Sequence, residues 1–273
     1  MSILSDRQIR LRCQAPTYKL DEDKYLALMR LSGEMPAAEI LADPREYDTW
    51  ARARTNKLYQ DSLVETTQEE RDAFRPMIHP FSPMQIKTCV NSLPITHNGA
   101  VIGHKPSGPE RKIISRGTTS YGYDVSLSGE FQIFTNVNGA FIDPKRPNPA
   151  CLIDAKLLTD EYGDQFVWLP PNSYLLGWTE EYFVIPRDVV AVCVGKSTYA
   201  RAGVQVNVTP IEPGFEGTVV IEIANSTSLP VKIYAHEGIS QFLFLVGSEP
   251  CETSYADRGG KYQGQMGIVH AKV

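Results

Sequence analysis

Residues 189–224 read VVAVCVGKSTYARAGVQVNVTPIEPGFEGTVVIEIA. Short apolar or alternating runs, Val189–Val194, Val204–Val208 and Thr218–Ala224, are separated by turn residues rather than by helical spacers. The same texture extends outward through Tyr121–Leu127, Glu130–Phe134, Gln165–Leu169, Tyr174–Trp178, Val231–Tyr234 and Ser240–Val246. Many short strands at close spacing predict a mainly β chain, a barrel or sandwich, and not alternating βα units. No internal repeat is evident.

Upstream the texture is helical. Ser5-Asp6 caps a first helix through Cys13, and Asp21–Leu31 is amphipathic. Asp43-Pro44 pairs an N-cap with proline at the first helical position and opens a helix toward Leu58. Thr67 and Glu70 have capping-box spacing, and Ser82-Pro83 starts a short helical turn. Residues 91–112, rich in Asn, Gly, Pro and His, read as a loop. The expected organisation is a helical region over 1–83, then a β domain over 84–273. Its tail, from Tyr255, is Gly-rich and reads either as a loose end or as a flap that folds over a ligand.

The chain has 273 residues, 42% hydrophobic, with a net charge of -5. A weakly acidic chain is a poor non-specific nucleic-acid binder, although a local basic pocket can still take a small polyanion. No apolar run approaches the ~20 residues of a membrane span, and Met1–Asp6 lacks the pattern of a signal peptide. The 5 cysteines are odd in number and far apart, form no CxxC, and read as small core hydrophobes of a reducing cytoplasm. The His residues show no metal-ligand spacing, and the zinc deaminase signature is absent.

Gly195-Lys196-Ser197-Thr198 resembles the end of a P-loop, but the first glycine of that motif would fall at Val190. The weaker physics survives: hydroxyls and a lysine at the start of a helical turn, Thr198–Arg201, suit an anion. Glu222 interrupts an apolar strand. Alternation places it on one face with Thr218, Val220 and Ala224. It either faces water or sits buried with partners, since an unpaired buried charge is very costly. Ser197 and Arg201 are the partners the sequence offers.

Together these stretches resemble the dCTP deaminase and dUTPase superfamily, in its chain order. Tyr121–Val125, Gly195–Arg201, Thr209–Gly217, Glu237–Gln241 and the Gly-rich tail match its successive motifs. Gly195–Arg201, Val206–Pro210 and Ser254–Gln265 are most similar to the bacterial dCTP deaminases. The resemblance covers about residues 113–273 with Ser5–Cys13 and Met77–Ile86, leaving 14–76 as an insertion. It implies a distorted β-barrel or jelly roll of the dUTPase type, assembled as a homotrimer with sites between subunits. It also implies hydrolytic deamination of dCTP to dUTP, with Glu222 as catalytic carboxylate and Ser197 and Arg201 holding water and carboxylate. Lys196, Ser197 and Thr198 match phosphate-binding positions, and Tyr199, Ala200, Thr209, Pro210 and Glu212 lie in the same nucleotide-binding motifs. Val220 and Ile221 are expected beside the base. Gln241, Tyr255, Lys261 and Gln265 are expected to close on the nucleotide, and Asp124 to be structural or magnesium-related.

Magnesium is implied only on the triphosphate, and dTTP stands as a candidate feedback inhibitor. Glu212 replaces the aspartate common in the superfamily, which weakens a second, diphosphohydrolase reading. A dUTPase or bifunctional enzyme, an inactive nucleotide sensor, and a deaminase of a modified dCTP remain open. A zinc-independent reaction is expected to survive prolonged zinc chelation once magnesium is resupplied. Irreversible loss, with stoichiometric zinc by elemental analysis, would contradict it.

Overall fold

Along Glu216–Asn225 the environment alternates: Val219, Ile221 and Ile223 are buried, whereas Val220, Glu222 and Ala224 are half-buried. This is the period of two expected of a strand that turns one face to the core. The computed structural model describes residues 2–14, 18–20, 24, 63–65, 74–90, 92–97, 100–106 and 110–272.

The strand just described, β17, belongs to a 6-stranded antiparallel sheet. Its order is β11 (Leu152–Asp154), β10 (Gln132–Phe134), β14 (Tyr174–Val184), β17 and β16 (Val204–Asn207), and β4 (Ile78–His79) joins the end of β14. A second 6-stranded sheet runs β1 (Ser2–Ile3), β19 (Gly238–Val246), β9 (Gly122–Ser126), β8 (Arg111–Thr119) and β5 (Ile86–Cys89), with β15 (Val189–Gly195) on β19. A small sheet joins β12 (Leu158–Thr159), β13 (Gln165–Leu169) and β18 (Val231–Tyr234). The fold is mainly β, as the strand texture predicts.

The large sheets share one core. Phe183 of β14 and Phe242 of β19, both fully buried, pack in a tilted pair with ring centroids 5.1 Å apart. Leu175, Ile221 and Ile223 of the first sheet and Tyr123, Val125 and Phe244 of the second belong to the same cluster. Gly238 is required where β19 starts: a Cβ there would lie 1.9 Å from the Ser115 carbonyl oxygen.

Contacts divide the chain into Met1–Cys13 with Pro76–Val273 as one unit and Gln14–Arg75 as another. The second unit spans the stretch read as an insertion at 14–76 to within a residue, and residues 76–83 fall in the first unit with the β domain. The β unit takes in α1 (Asp6–Cys13), which Arg12 ties to Asp188 through bonds of 3.0 and 2.7 Å. Met77 N–H donates to the Arg12 carbonyl at 2.8 Å, so the intervening segment leaves and returns at neighbouring points. In the second unit β2 (Tyr18–Leu20) pairs with β3 (Leu63–Glu65), strands that the helical reading missed. The helices expected over 21–31 and 43–58 and at Thr67 lie outside the described residues.

Two further expectations are corrected. Residues 91–112 are not a loop. β6 (Ser92–His97) pairs with β7 (Ala100–Pro106), and β8 begins at Arg111. The prolines and glycines that read as loop markers are carried by a two-stranded ribbon, where edge positions tolerate them. Ser82-Pro83 makes a bend rather than a helical turn, because the Ser82 carbonyl accepts from the backbone N–H of Thr118 at 3.1 Å and from its hydroxyl at 2.6 Å.

Truncating Phe242 removes one half of the ring pair that joins the sheets. Phe242→Ala is expected to lower unfolding free energy by about 3–5 kcal/mol. Urea denaturation followed by tryptophan fluorescence measures this, and an unchanged midpoint would contradict it.

Candidate active site

Register decides where Glu222 points. It lies opposite Leu176 of β14 and Asn207 of β16, with Ile221 and Ile223 turned into the core on either side. The carboxyl opens into a cavity of ≈ 580 Å³ with Val220, Leu176 and Tyr174 on the sheet side. Thr209, Pro210 and Glu212 supply one wall, and the Pro-rich stretch from Phe141 to Pro149 another. Tyr255, Lys261, Gln265 and His270 of the tail close it. Burial pushes the Glu222 carboxyl up to about 7, opposed by a backbone hydrogen bond. A group that exchanges protons near neutrality is suited to general acid–base work. Ile221, expected beside the base, faces the opposite way and is fully buried.

The tail is laid against β17. Gly217 and Gln265 form a parallel bridge. Thr218 N–H donates to the Gln265 carbonyl at 3.0 Å, and Gln265 Nε2 returns a bond to the Thr218 carbonyl at 2.7 Å. Tyr255 N–H reaches the Pro213 carbonyl at 2.8 Å, and its hydroxyl accepts from Tyr262 N–H at 3.0 Å. Gly217 has φ 147°, and a Cβ there would lie 2.9 Å from the Gln265 carbonyl oxygen, so glycine permits the approach.

The other candidates are elsewhere. α2 (Ser197–Arg201) follows β15, and Lys196, Ser197 and Gln241 line a separate cleft of ≈ 690 Å³. There the Lys196 ammonium meets buried Asp124 at 2.5 Å. The same carboxylate oxygen accepts from Gln85 Nε2 at 2.9 Å and the Ser115 hydroxyl at 3.4 Å. Asp124 is therefore the counter-ion of Lys196. Gln241 Nε2 donates to the Thr119 hydroxyl at 2.8 Å. Thr198 borders a third groove with Ser115 and Glu237. Ser197, Ala200 and Arg201 are exposed, and the Arg201 side chain forms no hydrogen bond or ion pair with the described residues.

Tyr199 is corrected: it is buried, its hydroxyl accepts from Tyr234 N–H at 3.0 Å, and burial raises its phenol. Its side chain anchors α2 rather than meeting a ligand. Within one chain, then, Glu222 shares a cavity with Thr209, Pro210, Glu212, Val220, Tyr255, Lys261 and Gln265, but not with Ser197 or Arg201. Sequence reading missed Tyr174, Leu176, His270 and the 141–149 stretch. Nothing in a run of Asn, Pro and Lys marks it as a cavity wall. Among the described residues, no cluster of three or more His, Cys, Asp or Glu is placed to hold a metal.

The family model for dCTP deaminase-like proteins matches residues 75–246, which include Asp124, Lys196 and Glu222. The chain belongs to the dCTP deaminase-like family. A dCTP deaminase from Dichelobacter nodosus is 50% identical over 193 residues, 71% of this chain and 89% of its own length. One from Nitrosospira multiformis is 48% identical over 197 residues, 72% of this chain and 91% of its own. One from Coxiella burnetii is 48% identical over 193 residues, 71% and 89%. The relatives are enzymes, and so is this family member. No helix among the described residues is long and apolar enough to cross a membrane.

Glu222 leaves a signature in stability. Its carboxyl is near 7 in the fold against an ordinary 4.5, so the folded protein keeps a proton that the unfolded chain has released. Stability from this group is full below pH 4.5 and falls as pH rises to 7. Buried Glu181, also raised to about 7, acts over the same window. Glu222→Gln is expected to shrink this fall without abolishing it, and to be more stable than wild type at pH 8. Denaturation midpoints across pH give the test, and parallel curves for the two proteins would refute it.

Proposed function

We propose that this protein hydrolyses dCTP to dUTP and ammonia, without zinc at the reacting carbon, and supplies dUTP for pyrimidine deoxynucleotide synthesis in the cytoplasm. The supporting observation is Glu222, a carboxyl raised toward neutrality by burial in a cavity that the tail covers. The similarity to curated dCTP deaminases supports the substrate.

In this reading the Glu222 carboxylate takes a proton from water, whose oxygen attacks C4 of cytosine. The carboxyl then passes the proton to the exocyclic nitrogen as the C4–N bond breaks. One water is consumed, one ammonia leaves, and Glu222 ends ionised. A positioned carboxylate in this role contributes ~10²–10⁴-fold. Val220 and Leu176 flank the base, and Gln265 and Lys261 lie at the closing side.

Ser197 and Arg201 enter from outside. Because one chain keeps them away from the Glu222 cavity, the complete site lies between subunits of a homotrimer, and the exposed face of α2 meets a neighbour's cavity. Arg201 and Ser197 then orient water and balance developing charge. Lys196, Thr198 and Gln241 hold the triphosphate, which arrives as its magnesium complex. The inhibitor dTTP would use the same triphosphate contacts. The diphosphohydrolase alternative is disfavoured by Glu212, whose carboxylate is paired with Arg258 of the same chain.

Glu222→Gln and Arg201→Ala proteins should each bind dCTP and show almost no deamination. Unfolded together and refolded as mixed trimers, they should regain activity at about one site in four, because random assembly joins an intact Glu222 to an intact Arg201 that often. Chromatographic resolution of dUTP, dUMP and pyrophosphate reads the result. Half the wild-type rate in Glu222→Gln would sink the chemistry, and no recovery on mixing would sink the shared site.

A further inference from the structure

The first sheet carries a row of paired residues across its strands: Asp154 of β11 opposite Gln132 of β10, Gln132 opposite Leu176, and Leu176 opposite Glu222. Directly paired residues put their side chains on the same face. The Gln132 amide therefore emerges beside the Glu222 cavity, two strand spacings or about 10 Å away. It is engaged on both sides. Its Nε2 donates to Asp154 Oδ1 at 2.9 Å, and its Oε1 lies 2.7 Å from His270 Nε2.

Hydrogen-bond logic fixes the polarity. An ionised Asp154 can only accept, so Gln132 must turn its NH₂ toward it and its oxygen toward the tail. His270 must then carry its hydrogen on Nε2. This assignment follows from the network.

His270 stands on the last segment of the chain. Upstream, the tail is pinned at the 213–218 turn and strand start by Tyr255, Gly264 and Gln265. Beyond Gly267, itself held by the Thr218 hydroxyl at 3.1 Å, the chain runs on along the cavity mouth, where Val269, His270 and Ala271 line it. The Lys272 carbonyl accepts from Lys261 Nζ at 3.0 Å, and Lys272 N–H donates to the Tyr262 hydroxyl at 3.1 Å. Where the final residues dock therefore also sets where the Lys261 ammonium sits.

We propose that His270 and Gln132 are positioning residues that latch the end of the tail onto the strand row of Glu222. The latch seals the cavity and places Lys261 for the nucleotide. It rests on the reading of the Glu222 cavity as the deamination site. Neither residue touches the reacting atoms; they act through the tail.

The test compares wild type with His270→Leu, Gln132→Leu, the double variant and His270→Gln, whose amide can still donate to Gln132. One partly buried hydrogen bond predicts that each leucine variant raises the KM for dCTP about three- to tenfold, with kcat changed less. It also predicts that each speeds tryptic cleavage after Lys261 in the nucleotide-free protein. The double variant should be no worse than either single, since both remove one interaction, and His270→Gln should recover most of the loss. Additive effects of the two leucine substitutions, or unchanged KM and cleavage, would overturn the latch. Trypsin reads the free protein and needs no turnover. A wild type inert toward dCTP but with coupled protection would therefore sink the deaminase reading alone. Normal deamination with uncoupled variants would sink the latch alone.

Discussion

The register between β14 and β17 is the constraint on which the rest depends. Pairing Leu176 with Glu222 and Gly177 with Ile221 sends the isoleucine into the core and the carboxyl into the cavity. A slip of one residue would exchange them, driving an ionisable group into the contact between the sheets. The register changes within the ladder, between Trp178 and Tyr182, and buried polar groups absorb the irregularity. The Thr179 hydroxyl accepts from Val219 N–H at 3.0 Å and donates to the Glu181 carbonyl at 2.7 Å. Glu181 itself accepts from Ser126 N–H at 3.0 Å and from the Ser126 hydroxyl at 2.9 Å. The Val219 N–H and the Glu181 carbonyl thus keep partners at the bulge.

The sequence made the strands of the β unit legible because their signal is local. Val189–Val194, Gln165–Leu169 and Val231–Tyr234 appear as strands at or within a residue of the expected bounds. The face of Glu222 was legible for the same reason. What failed was non-local. Tyr199 sits among residues that resemble a binding motif, and only its burial and the bond from Tyr234 N–H to its hydroxyl show that its ring is core. The 92–106 ribbon carries Pro94, Gly103 and Pro106, and local composition cannot tell a ribbon from a loop. The tail's glycines leave it readable as a loose end or as a flap, and only bonds to residues far back in the chain, such as Thr218 and Gly214, lay it against β17 and the turn before it. The cavity itself was invisible for a similar reason, since its walls come from segments scattered between Phe134 and Ala271.

The division of labour within one chain has a physical logic. The carboxylate needs an apolar, closed setting to bring its proton affinity near neutrality, which the sheet face and tail provide. Lys196 lies instead in an open cleft at the end of β15, lined mostly by polar side chains, where it pairs with Asp124. Placed side by side in one chain, the lysine would stabilise the ionised carboxylate and lower the proton affinity that burial raises. Within one chain each setting is tuned by its own surroundings, and in the proposed assembly the Arg201 cation reaches the carboxyl only from a neighbour.

The Lys196–Asp124 contact has a further consequence. The ammonium is already satisfied, inside the fold, by a carboxylate that Gln85 and Ser115 also support. An incoming anion does not find a free cation. It must outcompete an internal rival whose geometry is prepaid, leaving Asp124 to its two neutral donors. A ligand carrying one negative charge gains little by that exchange, while a polyphosphate, with several charges and its own cation, gains at every oxygen it places. Under the proposed triphosphate role, the ion pair thus sets a threshold that an anion's own charge has to exceed before it displaces Asp124.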